Sequence, residues 1–157
     1  MNTPFRLDEG VYFEDTGHLL KWGEDLNIIA QIDSPDISSN GNVFKWCNKL
    51  YLNGHTVNVS IIKDSYYNTN GYLEFVDFEL ERNDPWGVYK KFSAIFKSQF
   101  GQPTESINDV YGRPTDLWNI KDLQIIIGVG ERFVEYEIFS IHKGKIFCKF
   151  KDQTTTA

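Results

Sequence analysis

The chain has 157 residues, a formal net charge of −6, 41% hydrophobic and 15% aromatic residues, which is enough apolar material for one sizeable core. The negative charge argues against non-specific binding to nucleic acid or an anionic membrane, because both need a basic patch to displace counterions. Met1 to Gly10 carries Arg6, Asp8 and Glu9 instead of a signal-peptide apolar run, and no stretch reaches the roughly 18 apolar residues of a membrane helix, so a cytoplasmic chain without a membrane partner is expected.

In chain order, Val11 to Phe13 and Asn27 to Ile32 read as short strands, and Leu19 to Trp22 fits either strand or helix. Asp33 to Asn42 has the Ser, Pro, Asp, Asn and Gly density of a loop. Val43 to Leu52 then reads as a strand, Asn53-Gly54 as a two-residue type I′ hairpin turn, and His55 to Lys63 as the returning strand. In that return Val57, Val59 and Ile61 alternate with Asn58 and Ser60, the period of a sheet with one wet face. Asn68 to Gly71 turns the chain into a third strand, Tyr72 to Arg82, completing an antiparallel meander.

A single long helix is expected over Asp84 to Phe100. Asp84 can cap the unpaired amides of the first turn, and Pro85 has its φ already set for the first helical position. Val88, Tyr89, Phe92, Ile95, Phe96 and Phe100 form one apolar stripe, with Lys90, Lys91 and Lys97 on the other side. Gly101 and Pro103 end the helix. Gly87 costs about 1 kcal/mol against Ala in such a helix and reads as a close approach of backbone to sheet. A loop from Gly101 to Thr115 follows, then strands Leu117 to Ile120, Leu123 to Val129, Arg132 to His142 and Lys145 to Phe150, with a hairpin turn at Gly128-Val129-Gly130. The fold class is therefore α+β in one domain, an antiparallel sheet packed on one long helix with strands on both sides of it in sequence.

Motifs for catalysis are scarce. His18, His55 and His142 are scattered, without the spacing of metal ligands, and His55 and His142 flank turns where a ring faces water. Cys47 and Cys148 sit in apolar runs and read as buried thiols. No Gly-x-Ser-x-Gly occurs, so neither an enzyme nor a cofactor or metal site is expected.

The residues that stand out are charges on strands. The strand period places Asp77, Glu79 and Glu81 on one face beside Phe75, and Glu135 and Glu137 on one face between Phe133 and Phe139. If the two faces coincide, five carboxylates with aromatic neighbours make one acidic surface suited to a basic protein. A solvated outer sheet face is the plainer explanation of the same residues. An alternative function is a small-molecule site between sheet and helix, near Trp46, Trp86 and Trp118.

The run Phe96-Lys-Ser-Gln-Phe100-Gly101-Gln-Pro103, followed by Trp118, an Ile-rich strand and Glu131-Arg132-Phe133, resembles small bacterial α+β proteins, often uncharacterised, some of them similar to immunity proteins paired with contact-delivered toxins. The resemblance implies a cytoplasmic, acidic, non-enzymatic protein that binds and blocks a cognate toxin, often a basic nuclease. It assigns no residue roles.

Overall fold

The structure, a computed structural model, describes residues 3–63, 68, 70–79, 84–132 and 134–144. The chain forms two compact units, Met1–Glu79 and Leu80–Ala157. No helix among the described residues is long and apolar enough to cross a membrane.

In the first unit β1 (Gly10–Phe13) pairs antiparallel with β2 (His18–Lys21) as a small separate ribbon. One helical turn follows, α1 (Leu26–Ile29), where the sequence suggested a strand. Asp25 accepts a hydrogen bond from the Asn27 amide at 2.7 Å, and this cap starts a turn that the apolar run Ile28-Ile29 had disguised as a strand. Leu26 and Ile29 are fully buried. The second sheet runs β3 (Asp36–Ile37), β4 (Val43–Tyr51), β5 (His55–Ile62) and β6 (Phe75–Glu79), all antiparallel. The expected meander is present, but β6 begins at Phe75 and not at Tyr72. Tyr72 is 50% exposed and Leu73 fully buried, the reverse of the expected alternation, because the regular pleat begins only at Phe75. Leu80 to Asn83 lie outside the described residues.

The β4–β5 hairpin is wider than a two-residue Asn-Gly turn. Tyr51 pairs with His55, leaving Leu52, Asn53 and Gly54, all at positive φ. Glu14, from the end of β1, accepts from the Asn53 and Gly54 amides at 2.7 Å each, and this carboxylate holds the three-residue turn. Further along β4 the register shifts between Trp46 and Lys49, with Asn48 at φ 57. Cys47 lies in that bulge and is exposed, which corrects the expectation of a buried thiol. Cys148 falls outside the described residues.

The second unit is built on α2 (Pro85–Phe100). Asp84 caps it through the Gly87 amide at 3.0 Å, and Gly101, at φ 82, ends it with its amide bound to the Lys97 carbonyl at 2.9 Å. Gly87 approaches the cap rather than a sheet: a Cβ there would sit 2.1 Å from the Asp84 carboxylate. The strands run β7 (Glu105–Asn108), β8 (Pro114–Ile120), β9 (Leu123–Arg132) and β10 (Val134–Lys143), each antiparallel to the next. β7 occupies part of the expected loop, its single apolar side chain Ile107 having given no alternating pattern to read. Lys145 to Phe150 lie outside the described residues.

Gly128 and Gly130 lie inside β9, not in a turn. The chain reverses instead beyond Arg132, which pairs with Val134. A Cβ at Gly128 would meet the Pro114 carbonyl at 2.7 Å, and one at Gly130 the Tyr136 ring at 2.7 Å, so both glycines make room for neighbouring strands. Phe92 and Phe96 of α2 pack on Phe139 at 5.6 and 5.7 Å between centroids, and Phe96 on Trp118 at 5.8 Å. With buried Ile125, Ile127, Val129 and Ile141 they form this unit's core.

Candidate functional site

The carboxylates singled out in the sequence fall in both units, Asp77 and Glu79 in the first and Glu135 and Glu137 in the second. Asp77 is exposed and Glu79 half-buried in β6, opposite the buried Val76 and Phe78 of the first unit. Glu79 is matched by a cation, the Lys45 ammonium at 3.0 Å. Glu81 lies outside the described residues. Glu135 and Glu137 belong to the second unit, in register with Glu131 and Val129 of β9.

Residues of odd number along β9 and β10 face α2, as Phe139 shows by packing on Phe92. Glu131, Glu135 and Glu137 therefore continue the row of Val129 and Phe139 towards the β9–β10 hairpin. Near the start of α2 the Trp86 indole N–H donates to the Glu135 carboxylate at 3.2 Å. On the opposite face of the same hairpin end, Val134 is 71% and Tyr136 44% exposed. The β7–β8 turn reaches this end as well. Arg113 contacts Asp109 at 2.8 Å and Glu131 at 3.4 Å, while its guanidinium lies 4.9 Å from the centre of the Tyr111 ring. Val110 and Tyr111 beside it are 73% and 76% exposed. One end of the second unit's sheet thus combines four exposed large apolar side chains with the carboxylates of Asp109, Glu131, Glu135 and Glu137.

The tryptophans of the pocket reading are differently placed. Trp46 and Trp118 are buried, their indole N–H groups bound to the carbonyls of Ile32 at 2.7 Å and Gly101 at 3.0 Å. Trp118 fills space between α2 and β8 as a core residue; Trp86 is half-buried beside Glu135.

Two polar networks had no signature in the sequence. In the first unit Asp33, at φ 52, has a side chain only 7% exposed. It takes hydrogen bonds from Thr16 at 2.6 Å and Lys49 at 3.0 Å, and meets His18 Nδ1 at 2.5 Å. Lys49 also pairs with Asp15 at 3.1 Å and lies 4.6 Å from the centre of the Phe13 ring. Burial raises the Asp33 carboxyl, but the Thr16, His18 and Lys49 contacts outweigh it and hold it at about 2. These residues come from the β1–β2 turn, β2, a loop and β4, so no local spacing could reveal them. In the second unit Asp116 is buried on β8 and accepts from the hydroxyls of Tyr89, Ser93 and Ser106 at 2.8, 2.7 and 2.7 Å. Burial, then the Asp116 carboxylate, pushes the Tyr89 hydroxyl up to about 12. The network fastens α2 to β7 and β8.

Among the described residues no three His, Cys, Asp or Glu side chains are placed to hold a metal ion. His142 is buried, not facing water beside its turn, since the chain continues as strand through Lys143. No family model, curated protein or solved structure matches this chain.

Proposed function

We propose that this chain is a non-enzymatic binding protein that docks a basic protein on the hairpin end of its second unit. The supporting observation is the coincidence there of Tyr111, Val134 and Tyr136, all well exposed, with the carboxylates of Glu131, Glu135 and Glu137. Exposed aromatic groups supply contact area, and like charges on the other face of the same hairpin end steer an oppositely charged partner at a distance. Large apolar side chains grouped on a surface are otherwise a solubility liability. An immunity-type role, in which the partner is a toxin domain blocked by this contact, fits the charge of −6 and the resemblance drawn from the helix-to-strand segment.

The test is a calorimetric titration of the full chain with the purified product of the adjacent reading frame. Tight binding is expected, weakened about tenfold by Tyr136→Ala and by Glu137→Lys, which corresponds to about 1.4 kcal/mol each. Circular dichroism of both variants would establish that the fold is retained. Binding untouched by both substitutions, or no binding by the wild type, would overturn the reading.

A further inference from the structure

Resting on that reading, we infer that the docking end contains a subsite for an arginine side chain of the basic partner, formed by the Glu135 carboxylate and the Trp86 ring. Glu135 is exposed, and among the described residues its one polar partner is the neutral indole N–H of Trp86. It stands in register opposite Glu131, which Arg113 already reaches at 3.4 Å, so of the two facing carboxylates Glu135 is the one with no cationic partner among the described residues. The indole bond occupies one oxygen of Glu135 and leaves the other to accept.

The same end of the sheet already holds a guanidinium in equivalent surroundings. Arg113 lies over the Tyr111 ring with Asp109 and Glu131 at its edge, an aromatic face combined with two carboxylates. Trp86 with Glu135 repeats the aromatic and carboxylate elements of that arrangement, half-buried but open to a partner. A planar guanidinium can stack on the indole while donating to the carboxylate, whereas an ammonium offers neither the plane nor the fork. The occupant is therefore an arginine of a protein segment, in preference to a lysine.

The probes are three short synthetic Gly-Ser peptides bearing three arginines, three lysines or three neutral citrullines. The readout is the Trp86 indole N–H resonance of the full chain, assigned through Trp86→Phe. Trp22, Trp46 and Trp118 are each at most 8% exposed and provide internal controls. The arginine peptide is expected to shift the Trp86 signal and to bind at least fivefold more tightly than the lysine peptide, with the citrulline peptide inert. Glu135→Gln should reduce arginine-peptide affinity at least fivefold while leaving the other three indole signals in place. Equal affinity for arginine and lysine peptides, an unmoved Trp86 signal, or full affinity in Glu135→Gln would overturn the inference. If the adjacent-frame protein binds, loses affinity in Tyr136→Ala and keeps it in Glu135→Gln, the arginine subsite is wrong and the docking surface stands. If that protein does not bind the wild type at all, the docking surface itself falls.

Discussion

His142 is 2% exposed in β10, and burial pushes its imidazole down to about 3. The unfolded chain takes up a proton near pH 6.5, whereas the folded chain resists it until far lower pH. Stability from this residue is thus complete above about pH 6.5 and declines as pH falls towards 3, at up to about 1.4 kcal/mol per pH unit. Urea midpoints measured at pH 7, 6 and 5 should fall for the wild type. In His142→Gln the decline should be shallower, whatever the variant's stability at pH 7; parallel pH curves would show that other groups carry the effect. Asp33 acts in the same direction at the acid extreme. Its carboxyl, held at about 2, contributes stability present above its unfolded value near 3.9 and lost as pH falls through 2.

At the scale of elements, Gly87 inverts the ordinary rule for a glycine in a helix. Replacement by Ala would normally favour helix by about 1 kcal/mol. Here the added Cβ would collide with the Asp84 carboxylate and displace a cap contributing about 1 kcal/mol. Gly87→Ala should therefore be neutral or destabilising in the wild type, yet stabilising in an Asp84→Ala background, a swing of about 1 kcal/mol in a thermal-unfolding double-mutant cycle. Additive effects would disprove the collision.

The extent to which the elements were legible follows from the same physics. The helix was readable to within a residue because Asp84, Pro85, Gly101 and Pro103 each act on the backbone next to them. β4 and β5 were readable because Val57, Val59 and Ile61 alternate. The glycines of β9 were misleading because their cause lies in Thr115 and Tyr136 on the neighbouring strands, and no local pattern carries that information. Alternation assigned Asp77 and Glu135 each to one face of a strand. Alternation carries no information on which faces of distant strands come together. Val110 and Tyr111 drew no notice in the sequence because an isolated apolar residue near a turn has no period; only their exposure marks them.

At the scale of the whole molecule, the proposed docking together with the charge of −6 predicts that electrostatics act on the rate of association. Association with a basic protein should slow as ionic strength rises, while dissociation, governed by the packed aromatic contacts, changes little. Stopped-flow measurements between 20 mM and 500 mM salt, values on the order of the range over which screening shortens from tens of ångströms to a few, would check this. A salt-independent association rate would locate recognition in apolar contact alone.

The carboxylate of Glu14 on the β4–β5 turn has a different kind of consequence, for the order in which the chain folds. A hairpin closed by three residues is among the first pairings a chain samples, because the entropy of closing so short a loop is small. Yet Leu52 and Asn53 both carry positive φ, and the amides of Asn53 and Gly54 are held by a residue 39 and 40 positions upstream. The strands of this hairpin can meet early, but its tip is secured only when the amino-terminal ribbon docks. The most local strand pairing of the first unit is thus completed by one of its most distant contacts in sequence.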